Sequence, residues 1–215
     1  MMEDASRRPL ASRDTGWARA LTRLLARTSV TPNQISAASI LMAALSGGAL
    51  WLAGSAEGGA RIALLLCGAA FCQLRLLCNL LDGMVAIEAG KRSPDGAFWN
   101  EFPDRVADIL ILSGLGYGIG LPALGWAAAA FAVLTAYVRE LGHASGAAPD
   151  FSGPMAKPHR MAAVTGGALL SLFEPLWDGR NQVLTIVLWL IVAGTMFTVL
   201  RRSFRLLAHF RRPAD

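Results

Sequence analysis

With 215 residues, 54% of them apolar and only 16% charged, the chain is too apolar for an ordinary soluble domain of this size. Its formal net charge of +5 comes from 20 Lys and Arg against 15 Asp and Glu. No basic stripe interleaved with aromatics accompanies that charge, so it points to topology and anionic lipid headgroups and away from nucleic acid. Cys67, Cys72 and Cys78 all fall in one apolar stretch without metal-ligand spacing, which excludes a disulfide framework and reads as small packing residues.

Residues 1–13 form a polar, Arg-containing tail. From 14 to 28 the pattern becomes amphipathic. Trp17, Leu21, Leu24 and Leu25 share one helical face and Arg19, Arg23 and Arg27 another, which predicts a helix lying on the cytoplasmic leaflet. Thr31-Pro32-Asn33-Gln34 is a helix start, with Thr as cap, Pro in the first turn and Gln placed to complete a capping box. Apolar stretches able to cross a core of ~30 Å, roughly 20 residues each, then fall at 33–53, 61–86, 97–120, 122–144, 158–176 and 182–204. Turn-forming Gly, Ser, Asp and Pro separate them, the longest break running from Gly146 to Pro158. Gly47-Gly48 and Gly166-Gly167 permit close helix approach.

The expected fold is therefore an all-α integral membrane protein of six transmembrane helices plus an N-terminal amphipathic interfacial helix. Its organisation is a tail at 1–13, a juxtamembrane helix at 14–28, a membrane domain at 31–205 and a basic C-terminus at 206–215. With both termini cytoplasmic, only Arg61 and Arg180 among the Lys and Arg fall on the far side, as the positive-inside rule requires. The expected location is the cell's inner (plasma) membrane, multi-pass, with both termini and the active site cytoplasmic.

Within these apolar stretches, positions 75, 79, 82 and 86 fall on one helical face and 97, 100, 104 and 108 on one face of the next helix. Ionisable groups at such depth are costly and usually functional. Asp82 and Asp104 are hard oxygen ligands and Asn79 and Asn100 offer amide oxygens, a set suited to Mg²⁺ or Mn²⁺. Gly83 and Ala86 leave room beside the carboxylates for a flat or bulky group. Acids at the cytoplasmic water line, a divalent metal and nearby arginines fit a phosphorylated substrate and phosphoryl-type transfer. Glu88 and Glu101, close to the water line, read as solvated, and Asp95 as a turn or cap residue.

The run Asn79, Asp82, Gly83, Ala86, Ile87, Gly96, Asn100, Asp104 resembles the signature of the CDP-alcohol phosphatidyltransferases, Asp-x2-Asp-Gly-x2-Ala-Arg-x8-Gly-x3-Asp-x3-Asp, with its spacing intact. Three positions depart from it: the first and third aspartates are Asn79 and Asn100, and the arginine is Ile87. The resemblance implies that Asn79, Asp82, Asn100 and Asp104 surround one or two divalent ions holding the pyrophosphate of CDP-diacylglycerol, with Asp104 also the general base. It implies nucleotide contacts at Asp82, Gly83, Ala86 and Gly96, and an acceptor or phosphate site at Arg139, Lys157 and Arg160. Arg75, Arg105 and Asp108 support the acids. A small polar alcohol attacks the phosphorus next to the diacylglycerol, CMP leaves, and the enzyme is a homodimer among membrane lipids. The two asparagines and Ile87 leave open a catalytically weak relative that binds a nucleotide-lipid or supports a partner enzyme. A transporter ranks third, because the polar stripes cluster at one side of the membrane and not at its midplane.

Overall fold

The computed structural model describes residues 15–88, 90, 91 and 93–211, and within them the chain is helical. In order come α1 (Gly16–Ala26), α2 (Pro32–Ala53), α3 (Gly58–Glu88), α4 (Gly96–Gly118), α5 (Pro122–Ala144), α6 (Lys157–Leu170) and α7 (Gln182–Phe210), with a 3-10 segment, Ser171–Trp177, continuing α6. The expected tail at 1–13 lies outside the described residues, as do the last residues of the basic C-terminus; the rest of that terminus continues α7.

Local chemistry accounts for the helix ends. Thr31 accepts from the Gln34 amide while the Gln34 side chain accepts from the Thr31 amide, so the predicted capping box starts α2. Pro122 and Pro158 occupy first-turn positions of α5 and α6, where a missing N–H costs nothing. At the end of α6, Pro175 and the left-handed residues Asp178 and Asn181 break the helix and redirect the chain into α7.

α2 and α4 run parallel at backbone contact, with α3 packed beside α2. A Cβ built on Gly47 would lie 2.2 Å from the Leu110 carbonyl oxygen, and one on Gly114 would lie 2.4 Å from that of Gly47. Toward the far end, Gly54 and Gly118 meet in the same way. These are the small-residue contacts that hold membrane helices together where burial from water offers no drive. Gly48 and Gly166 have open space around them, so in each predicted pair only one glycine is an interhelical contact. Leu50, Leu65, Ile111, Leu112, Leu115, Met161 and Leu188 fill the shared core. α1 lies against α3 through Ala18 and Thr22, with Leu21 and Leu25 on a small cluster around Ile35, Leu81 and Val85, while Trp17 and Leu24 stay exposed.

Outside the core, Leu41, Trp51, Trp126, Leu190 and Phe197 are all exposed, as expected of a surface that faces lipid. Among the described residues, α2, α3, α5 and α7 are long and apolar enough to cross a membrane. α4 falls short because Asn100, Glu101, Asp104, Arg105 and Asp108 crowd its first half, and α6 because it is only 14 residues before the 3-10 segment. The chain is thus an all-helical, multi-pass membrane protein.

Its two ends differ in kind. Where α2 meets α3 and the 3-10 segment meets α7, buried Glu174 pairs with Arg61 at 2.7 Å and accepts from the Asn181 and Val183 amides at 2.9 and 2.8 Å. That clasp ties the two connections together. The opposite end is open and carries both polar stripes.

Candidate active site

The open end is a cavity of about 530 Å³, formed by the start of α2, the last turns of α3, the first half of α4, the end of α5 and the start of α6. That volume suits a small-molecule or cofactor site. Its lining includes Asn79, Asp82, Gly83 and Ala86 from α3, and Gly96, Asn100 and Asp104 from α4. Arg105, Arg139, Lys157 and Arg160 line it as well. The helical phase read from the sequence puts both stripes on one wall system, which is why residues 25 apart meet.

Asp82 is buried, its Oδ2 accepting from the Ser36 hydroxyl and its Oδ1 from the Gly83 amide, each at 2.6 Å. Asp104, also buried, is the most heavily contacted group. Its Oδ1 accepts from the Asn79 amide nitrogen and, at 3.2 Å, from Arg75, while its Oδ2 pairs with Lys157 and lies 3.6 Å from Arg105. Arg75 is wholly buried and also sits 4.0 Å from Asp108, so it pairs with the acids of α4; Ile87, where the signature has arginine, is exposed. Behind this layer Asp108 binds Arg160 at 2.6 Å, both fully buried.

Asn100 lines the cavity but is exposed, and its side-chain amide donates to the Glu101 carboxylate at 3.5 Å. Glu101 is not simply solvated: it bridges Arg139 of α5 and Arg105. Arg139 also pairs with Glu140 at 2.8 Å and lies 5.3 Å over the Phe151 ring. Asp95 accepts from the Trp99 indole at 2.8 Å and from Asn33, tying the α4 start to α2.

Ser36 and Arg202 are site residues with only a weak sequence signal. Ser36 is one of a row of small polar residues on the buried face of α2. Arg202 is buried, donates to the Thr135 and Ser152 carbonyls at 2.6 and 2.9 Å and lines the cavity, but in sequence it is one arginine in a basic run. Beside it, partial burial raises the Asp150 carboxyl, yet hydrogen bonds from Ser152 and the charges of Arg205 and Arg202 outweigh this and hold it below the usual carboxylate range.

The donor set fits a hard divalent cation. Asn79 Oδ1 is a buried oxygen with no hydrogen-bond partner, in the same cavity as the Asp82 and Asp104 carboxylates. Among the described residues no three His, Cys, Asp or Glu side chains group to hold an ion, because the set contains amides where further acids could stand. A Cβ on Gly83 would meet nothing within 4 Å and one on Gly96 only Ser93 at 3.9 Å, so these glycines border free space in the cavity.

No family model matches the chain. It is 36% identical over 149 residues to the bifunctional IPC transferase and DIPP synthase of Rubrobacter xylanophilus, covering 66% of this chain and 32% of that protein. It is 29% identical over 135 residues to the phosphatidylinositol phosphate synthase of Mycobacteroides abscessus, covering 58% of this chain and 57% of that one. The chain thus spans about a third and somewhat over half of these relatives' lengths. The Mycobacterium tuberculosis phosphatidylinositol phosphate synthase, solved with CDP-DAG bound, superimposes with a TM-score of 0.74 over 92% of this chain and 98% of that one at 22% identity. A structure of the same protein in complex with manganese and citrate gives the same score over 92% and 93% of the two chains, also at 22% identity. That likeness is one of fold.

Proposed function

We propose that the chain is a CDP-alcohol phosphatidyltransferase and that it moves a phosphatidyl group from CDP-diacylglycerol to the hydroxyl of an inositol phosphate, releasing CMP. One observation carries the reading: Asn79, Asp82 and Asp104 converge on a single open cavity that Arg139, Lys157 and Arg160 also line. The named activity of the mycobacterial relatives and that density of cations support an acceptor bearing a phosphate.

Asn79, Asp82 and Asp104, with Asn100 at the cavity's edge, would hold Mg²⁺ or Mn²⁺, which would supply charge neutralisation at the pyrophosphate. The free space at Gly83, Ala86 and Gly96 admits the cytidine nucleotide close to the backbone. Lys157 and Arg139 face the acceptor's phosphate, and Arg160, gripped by Asp108, fixes the start of α6 behind them. Asp104 takes the proton of the attacking hydroxyl. Arg75, 3.2 Å from that carboxylate, holds it in position. The acceptor oxygen bonds to the phosphorus next to the diacylglycerol as the bond from that phosphorus to the CMP oxygen breaks, and CMP departs.

The same reading takes α2–α7 as six crossings, with both termini and the cavity at the cytoplasmic face of the inner membrane. The segments are those read from sequence: a tail at 1–13, α1 within 14–28, the membrane domain at 31–205 and the basic end at 206–215. The position of nearly every Lys and Arg supports this, and a homodimer is taken over from the family resemblance. The test is purified protein with radiolabelled CDP-diacylglycerol, Mg²⁺ or Mn²⁺ and a panel of alcohols and their phosphates, following CMP and the lipid formed. CMP release that depends on inositol phosphate and vanishes in Asp104→Ala supports the reading. Release with no acceptor, or release that survives Asp104→Ala, refutes it. The two asparagines favour one rival, a binder without turnover, which the same assay identifies by CDP-diacylglycerol binding without CMP release.

A further inference from the structure

We propose that Lys157 takes the place of one divalent cation, so that this centre works with a single bound metal ion and one built-in ammonium; the proposal rests on the phosphatidyltransferase reading above. Asn79 and Asn100 leave Asp82 and Asp104 as the only carboxylates among the predicted ligands. Two carboxylates balance one doubly charged ion. A second such ion at the spacing of two-metal centres, roughly 4 Å, meets four times the repulsion of two unit charges at that distance and has no further carboxylate among the predicted ligands to offset it.

The structure puts side-chain cations where that second charge belongs. Both oxygens of Asp104 are engaged: Oδ2 by the Lys157 ammonium with Arg105 at 3.6 Å, and Oδ1 by the Asn79 amide nitrogen with Arg75 at 3.2 Å. Lys157 is not a loose surface side chain. It opens α6, and that helix start is pinned by the buried Arg160–Asp108 pair at 2.6 Å, by Arg160 donating to the Met155 carbonyl at 3.0 Å, and by the Met155 amide donating to Thr198 at 3.2 Å. It is only 24% exposed and lines the cavity.

An ammonium carries three donors and no acceptor, so it can bind Asp104 and a substrate phosphate oxygen together, the bridging task of a second metal. Asn79 completes the division of labour. Its nitrogen is spent on Asp104, and its buried, unpartnered Oδ1 remains for the single ion beside Asp82. With Lys157 so placed, two amides in the positions of acids lower both the negative charge of the centre and the number of ions it must hold.

Manganese titration of the purified protein in detergent, read by electron paramagnetic resonance and calorimetry, tests this without turnover. The protein is expected to bind one Mn²⁺ per chain with an uncoupled six-line spectrum, and so are Lys157→Arg and Asn100→Asp. Lys157→Gln is expected to admit a second, weaker ion. Asn100→Asp added to Lys157→Gln is expected to tighten that second ion at least tenfold and to give the broadened spectrum of a coupled pair. Binding of two ions by the unaltered protein or by Asn100→Asp alone overturns the proposal, as does a single ion in the Lys157→Gln, Asn100→Asp variant. Absence of Mn²⁺ binding to the unaltered protein also overturns it. Failure of the phosphatidyltransferase reading is a separate result, read as absent CMP release at whatever ion count is found.

Discussion

Removing the Asp108 carboxylate tests the buried layer beneath the site. Asp108 and Arg160 are 0% and 1% exposed and pair at 2.6 Å, so Asp108→Ala leaves a guanidinium in the core without its counter-charge. Breaking one side of such a pair typically costs about 3–5 kcal/mol. Here the lower end applies, because Arg160 keeps the Met155 carbonyl at 3.0 Å and Arg75 keeps Asp104 at 3.2 Å. A loss of about 3 kcal/mol, roughly a hundredfold in the folding equilibrium, is expected. Unfolding by SDS titration in mixed micelles, followed by tryptophan fluorescence, measures it. The double variant Asp108→Leu, Arg160→Met is expected to recover most of the loss, since removing both charges leaves neither unpaired. A cost below about 1 kcal/mol for Asp108→Ala, or a double variant as unstable as two independent losses, refutes the claim that this pair is desolvated.

Gly54→Ala is expected to lower stability by about 1–3 kcal/mol, because its Cβ would fall 1.7 Å from the Gly118 carbonyl oxygen. Gly48→Ala, with open space at that position, is expected to change it by less than about 0.5 kcal/mol; equal effects of the two would disprove the α2–α4 contact. Glu174→Gln, at the end away from the cavity, is expected to cost about 3 kcal/mol of stability and to leave the KM for CDP-diacylglycerol of the folded fraction unchanged. A shifted KM would mean that the two ends are coupled. Chelation by EDTA is expected to abolish CMP release and added Mn²⁺ to restore it; turnover that persists in EDTA would remove the metal from the mechanism.

The polar stripes were legible in the sequence because their spacing is a local property of one helix. Asp82 and Asp104 line a common cavity, and the capping box at Thr31 forms as read. Asn100 shares the stripe's phase but sits at an exposed position near the start of α4, and how far each member of a stripe is covered is set by the packing of other helices, which periodicity does not give. In sequence Arg75 lies one turn before Asn79, a place that fits either the charge absent at Ile87 or a pairing with an acid. Only the seating of α3 against α4 decides for the acids.

By itself the sequence determined a membrane-embedded helical chain with two acidic-amide stripes near one water line, because apolar length, charge asymmetry and helical period are written in neighbouring residues. The tertiary structure alone decided what surrounds those acids. Lys157 stands 53 residues from Asp104, and Ser36 46 from Asp82. Their meeting depends on glycine contacts between α2 and α4 and on a buried ion pair that seats α6, interactions between distant segments that no local pattern specifies.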